Sequence, residues 1–326
     1  MDKKKMASIK DVATLAGVGV GTVSRVMNES GYVSEEARKK VDAAVRKLNF
    51  QPNVSAQSLK SQKSGVVGLF VPVLNHPFFC ALSEKIEHRL YESGYQTLMV
   101  CSQGMQEKEL MVLSMLAQKR VDGAIFITHY NLGEINGKLP IVTMDRHFGE
   151  NVPCVTSDNY ASTKKAVEYL IACGCKKIAY VGGKPAVESE VSKRLDAYLD
   201  AVQEHGMAPR VLYEEFEHGK DYEYAETFFS RYGGEADGVF CSGDILTNAV
   251  YQLAVQRGIS IPQQLKIVSY DGIMRDWQQK PNITSIVQDL DGISLHIVKE
   301  LLNKMEGKPF QKSVVVPAAF VVGETT

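Results

Sequence analysis

The first fifty residues place apolar side chains at helical spacing, broken by short polar turns. Val12, Ala16, Val18, Val23 and Val26 recur so that two short helices press one face against the other. Ala13 is small where those helices must touch. Gly17 sits where the turn between them needs a positive φ, which glycine adopts at little cost. Ser34-Glu35-Glu36 reads as an N-cap followed by acids that suit the positive helix end. Val41, Ala44, Val45 and Leu48 continue that third helix, and Pro52 is expected to stop it by disfavouring helix at Gln51. Residues 53–60 are helix-capable with one long apolar side chain, Leu59, and the polar stretch 61–65 marks a boundary.

Beyond it, apolar runs alternate with helical periodicity. Residues 66–71, 97–100, 123–127 and 141–144 read as strands buried on both faces, with helices at 77–94 and 107–118. A second series has helices at 161–172, 188–205, 222–232 and 244–256, and strands at 178–181, 211–213, 238–241 and 267–270. A helix at 290–305 and a strand at 314–318 close the chain, and no internal repeat is visible. The fold class expected is an α/β body of two doubly wound parallel-sheet lobes behind an all-α helix-turn-helix head. The expected domains are a head over 1–50, a linker over 51–65 and a body over 66–326. Its first lobe takes about 66–158 plus 289–318, and its second about 159–288 plus 319–326. Ligands of such folds bind at the carboxyl ends of the strands, which the cleft between lobes gathers.

The net charge of −1 hides an asymmetry. Residues 1–64 carry twelve Lys and Arg against six acids, while the remainder is net acidic. A basic head on an acidic body implies a nucleic-acid partner for the head alone. Val20, Gly21, Thr22 and Arg25 would face outward from the second helix, where a DNA major groove can receive them. The glycines of Gly17-Val18-Gly19-Val20-Gly21 are no nucleotide loop, because no strand precedes them and no Lys-Ser/Thr pair follows. The six cysteines form no CxxC pair and the seven histidines show no HxxxH or HxH spacing, so no metal site is expected. No Gly-x-Ser-x-Gly elbow appears, and an enzyme is not expected. The start of the chain lacks a signal-peptide pattern and no run approaches about 18 apolar residues. A cytoplasmic protein without a membrane partner is therefore expected.

The strings Ile-Lys-Asp-Val-Ala, Ala-Gly-Val, Thr-Val-Ser-Arg-Val-Met-Asn, Val-Ser-Glu-Glu-Ala-Arg and Leu-Asn-Phe-Gln-Pro-Asn all lie in residues 9–53. On these motifs the chain resembles the LacI/GalR (lactose repressor) family of bacterial transcription regulators, most specifically over 8–60. The body also resembles periplasmic sugar-binding proteins. The resemblance implies a homodimer on a palindromic operator, switched by a small-molecule effector, a sugar or sugar phosphate, with no cofactor. Base reading would rest on Val20, Gly21 and Arg25, and an arginine paired bidentately with guanine gives about 1–3 kcal/mol of discrimination. Lys10, Thr22, Ser24, Asn28 and Ser34 would position the backbone, with helix capping open as the plainer role for Thr22 and Ser24.

By the same resemblance, residues 53–61 form a hinge helix with Asn53 and Ala56, and Leu59 wedges into the minor groove. Effector contacts would fall on Phe78, Phe79, Asp145, Arg194, Tyr222 and Asp271, with core packing open for one of the two phenylalanines and an Arg146 ion pair for Asp145. Aromatics stack on sugar faces, while carboxylates and a guanidinium bind hydroxyls. Gly243-Asp244 departs from the family's frequent Asn-Asp and removes an amide donor. Alternatives left open are a catabolite regulator acting with a protein co-repressor and, more distantly, a sugar-binding protein or sugar enzyme with a DNA-binding head. The tail shows no heptad extension, so a coiled-coil tetramer is not expected.

Overall fold

Three helices build the N-terminal unit: α1 (Ile9–Ala16), α2 (Val20–Met27) and α3 (Glu35–Leu48). Ser8 caps α1 by accepting from the Asp11 amide while the Asp11 carboxylate accepts from the Ser8 amide, which satisfies donors at the helix start. Gly17 ends α1 at φ +65°, the turn the sequence required. Val12, Ala13, Ala16, Val23, Val26, Val41 and Ala44 are buried together, with Val18 packed at their edge. The third helix stops before Pro52 can act. Asn49 adopts φ +45°, and the Phe50 amide turns back to the Val45 carbonyl at 3.0 Å.

The computed structural model describes residues 7–50, 63–103, 105–127, 137–185, 187–215, 219–274 and 281–326. It divides into two units, Met1–Ser64 and Gly65–Thr326. The second unit begins with β1 (Val66–Val71), α4 (Pro77–Glu92), β2 (Gln96–Cys101), α5 (Gln106–Ala117), β3 (Gly123–Phe126), β4 (Ile141–Met144) and β5 (Cys154–Ser157). It continues with α6 (Asn159–Ala172), β6 (Ile178–Lys184), α7 (Lys193–Glu204), β7 (Arg210–Glu215), α8 (Asp221–Tyr232), β8 (Gly238–Cys241), α9 (Asp244–Gln256) and β9 (Lys266–Asp271). The last elements are β10 (Thr284–Gln288), α10 (Leu290–Met305), β11 (Ser313–Val316) and β12 (Ala318–Val321).

These strands form two six-stranded sheets, β11-β5-β4-β3-β1-β2 and β12-β10-β9-β8-β6-β7. All described pairings are parallel except β10 with β12. The two sheets therefore repeat one strand order, a repeat invisible in the sequence. Helix α10 packs on the first sheet, with Ile293, Ile297 and Leu301 in the same buried cluster as Leu69 and Ile125.

Three expectations need correction. The helix expected at 188–205 starts at Lys193, behind a single 3-10 turn at Glu190–Ser192. The strand expected at 314–318 is two strands in different sheets, parted at Pro317, whose missing N–H cannot continue a ladder. Strands β5 and β10 were not expected at all. No helix among the described residues is long and apolar enough to cross a membrane.

Candidate functional site

Helix α2 exposes Val20, at 42%, together with Gly21 and Arg25. Thr22 and Ser24 are half-buried, and Asn28 donates its amide to the Ser24 hydroxyl at 3.3 Å. The helix starts at Gly19 with no side-chain cap, so neither Thr22 nor Ser24 performs that role. Lys10 is exposed on α1, and Ser34 caps α3 by accepting from the Ala37 amide at 3.3 Å. Asn53, Ala56 and Leu59 lie outside the described residues.

A second set of polar residues gathers in the body at the carboxyl ends of the parallel strands. Asp145 directly follows β4 and Asp271 ends β9, which is the same point in the repeated strand order. Both have positive φ, +57° and +89°, which is unusual for residues with a Cβ. Such strain concentrates where a side chain must be aimed.

Arg194, at the start of α7, is 5% exposed and links the two ends. Its Nε donates to Asn159 Oδ1 at 2.7 Å and its Nη1 to the Ser242 carbonyl at 2.6 Å. Its guanidinium carbon sits 3.5 Å from the centroid of the Tyr270 ring, and Nη1 lies 4.0 Å from Asp271 Oδ1. The Asn159 amide donates to the Thr156 hydroxyl at 3.1 Å, and Thr156 donates to Asp145 Oδ1 at 2.5 Å. Gln288, on β10, donates to Asp271 Oδ1 at 2.7 Å. One chain of polar contacts thus runs Asp145–Thr156–Asn159–Arg194–Asp271–Gln288, from the first sheet to the second. The Tyr270 hydroxyl adds a bond across to Ser157 Oγ at 3.3 Å.

Burial is the main force on the acids here. It raises the carboxyls of Asp145 and Asp271, while the Arg194 charge opposes it at both. Asp244, at the start of α9, is pushed up to about 6 by burial and then by the neighbouring Asp271. It accepts from Ser269 Oγ at 2.7 Å and from the Met274 amide at 3.0 Å, so it braces the turn that carries Asp271. At the edge, Glu190 bonds Lys193 at 2.6 Å and lies 3.0 Å from His147 Nε2. Burial works against ionising Glu190, but the hydrogen bonds from Lys193 and His147 outweigh it and lower the carboxyl. The Glu190 amide and the Ser189 hydroxyl both donate to the Asp145 carbonyl, at 2.9 and 3.1 Å.

Of the six residues assigned to an effector, Asp145, Arg194 and Asp271 come together, and the other three are Phe78, Phe79 and Tyr222. Phe78 is 5% exposed and packs in the core of the first lobe, because Phe78, Leu82, Ile86 and Leu90 share the inner stripe of α4. Phe79, one step around that helix, is half-buried and packs its ring 4.8 Å from His76. Tyr222 is 44% exposed, and its hydroxyl bonds Gln256 at the far end of α9 from Asp244. Twelve helical steps, roughly 18 Å, separate those ends. The sequence reading missed Thr156, Asn159, Tyr270 and Gln288. Their signal is polar residues at strand ends of an α/β fold.

Residues 8–53 match the bacterial regulatory proteins of the lacI family, and residues 167–326 match a periplasmic binding protein-like domain. The ribose operon repressor of Halalkalibacterium halodurans is 34% identical over 98% of this chain and 97% of its own length. The sucrose operon repressor of Pediococcus pentosaceus is 33% identical over 97% of this chain and 98% of its own. Among solved structures, the lac repressor dimer bound to operator and an anti-inducer shares the fold, with a TM-score of 0.86 at 23% identity over 99% of both chains. A complex of the transcriptional regulator CelR with cellobiose has a TM-score of 0.69 at 25% identity, covering 98% of this chain and all of its own. A helix-turn-helix head, a body of two parallel-sheet lobes and full-length relatives named as operon repressors agree: the chain belongs to the LacI family of DNA-binding transcription regulators.

Proposed function

We propose that this regulator is a homodimeric repressor of carbohydrate-utilisation genes whose hold on a palindromic operator is switched by a small carbohydrate, a sugar or sugar phosphate. The head is 1–50, the hinge 51–65 and the effector-binding body 66–326. The observation that carries this reading is the Arg194-centred network, a guanidinium and carboxylates buried where both sheets end. Such groups bind hydroxyls by charge-assisted hydrogen bonds. The names of the ribose and sucrose operon repressors and the cellobiose in the CelR complex support the ligand class.

On the DNA side, Arg25 reads a base by hydrogen bonds, Val20 offers an apolar contact and Gly21 permits close approach. Lys10, Thr22, Ser24, Asn28, Ser34 and the hinge residues Asn53, Ala56 and Leu59 position the duplex. The test is operator binding by the full-length protein, by fluorescence anisotropy, with and without carbohydrates. Arg25→Ala is expected to cost about 1–3 kcal/mol and to relax specificity at one base pair. Arg194→Ala is expected to keep operator binding and lose the carbohydrate response. A response that survives Arg194→Ala unchanged refutes the placement of the effector.

A further inference from the structure

We infer that the Arg194-centred site takes an uncharged polyhydroxyl carbohydrate and rejects its phosphate ester. The inference rests on the effector reading above and narrows it to one ligand chemistry. It follows from a count of donors and acceptors. Asp271, buried, and Asp145, half-buried, bring carboxylates from the two sheets, with Asp244 braced behind Asp271, while Glu190 at the rim is already paired with Lys193 and His147. Gln288 is 5% exposed; its amide group is given to Asp271, and its Oε1 is buried with no partner. These groups all accept hydrogen bonds.

Among the described residues around Arg194, the donor side is thinner. Two of the three nitrogens of Arg194 already donate inside the protein, and the face of the guanidinium lies on Tyr270. Gly243 adds no side-chain amide, and a Cβ built there would lie 3.4 Å from Asp271 Oδ2. A phosphate ester brings acceptors only and a charge of about −1.5 to −2. It would face carboxylates without the free bidentate fork that phosphate favours. A sugar hydroxyl both donates and accepts. It satisfies Asp145, Asp271 and the orphaned Gln288 oxygen without adding charge.

Titration calorimetry on the full-length protein tests this with a panel of pentoses, hexoses and disaccharides, each beside its phosphate ester. A neutral sugar is expected to bind at least about tenfold more tightly than its ester. Asp271→Asn separates the cases by sign. It weakens an uncharged ligand by losing a charged acceptor, whereas it tightens an anionic one by removing repulsion. Asp145→Asn makes the same test from the other sheet if the first variant folds poorly. An ester that outbinds its parent sugar, or that gains affinity in either variant beyond that of the wild-type protein for the sugar, overturns the inference and leaves the carbohydrate-effector reading standing. If no carbohydrate of either kind binds, the effector reading itself falls.

Discussion

Asp244 shows how much a single buried carboxyl can be read for. Its carboxyl is pushed up to about 6 by burial first and by Asp271 second, whereas an unfolded chain holds it near 3.9. The folded protein therefore binds this proton more tightly than the unfolded one does. The stabilisation is complete below about pH 4 and is lost as pH rises through about 6. Asp244→Asn removes the titration. The stability of the wild-type protein relative to this variant is expected to fall between pH 4.5 and 7, by an amount on the order of a few kcal/mol. Urea denaturation at the two pH values measures it, and a difference that ignores pH refutes the protonated carboxyl. At this scale the three residues named from the resemblance's local motifs, Asp145, Arg194 and Asp271, are ones that the structure joins through one chain of polar contacts. Phe78 was legible the other way, since its place on the 78-82-86-90 stripe already made it core. Tyr222 was not legible, because a motif does not say to which end of a neighbouring helix a hydroxyl reaches.

At the scale of elements, the strands that the hydrophobic pattern hid are those that build the site. Strand β5 reads Cys-Val-Thr-Ser and β10 reads Thr-Ser-Ile-Val-Gln. Their polar residues, Thr156, Ser157 and Gln288, are spent on Asp145, Tyr270 and Asp271, so the apolar run that announces a buried strand is broken. The head behaves oppositely, because every local signal there agrees. Gly17 tests that agreement. A Cβ at this position meets nothing within 4 Å, so the cost of Gly17→Ala is the backbone conformation alone, φ +65°. The head should lose roughly 1–2 kcal/mol, read as faster amide exchange in α1 and α2 of the full-length protein. Operator affinity should hold at temperatures where the head stays folded, since the exposed face of α2 is unchanged. Undiminished protection in α1 and α2 would mean that the turn tolerates a side chain.

At the scale of the whole molecule, the charge asymmetry and the two βα series announced a DNA-binding head and a two-lobed body, but the repeated strand order was hidden. Both lobes place an aspartate with positive φ at the same strand end, although the flanking sequences differ. The repeat lies in topology, which packing of hydrophobic strands preserves while residue identities drift. On the proposed reading, function at this scale is a coupling free energy between operator and effector, and coupling is reciprocal. An effector weakens operator binding only by as much as it prefers the DNA-free arrangement. If a carbohydrate lowers operator affinity by a factor within the usual range of about 5–150, saturating operator must lower carbohydrate affinity by the same factor. Anisotropy titrations of operator with and without the sugar give the first number. Calorimetric titrations of sugar with and without operator give the second. Asp271→Asn should weaken sugar binding in both arrangements while the two factors stay equal to each other, because reciprocity survives any change in the contacts. Unequal factors in the wild-type protein would mean that the sugar acts through something other than one cleft per subunit, such as a change in assembly, and the single-site reading would have to be abandoned.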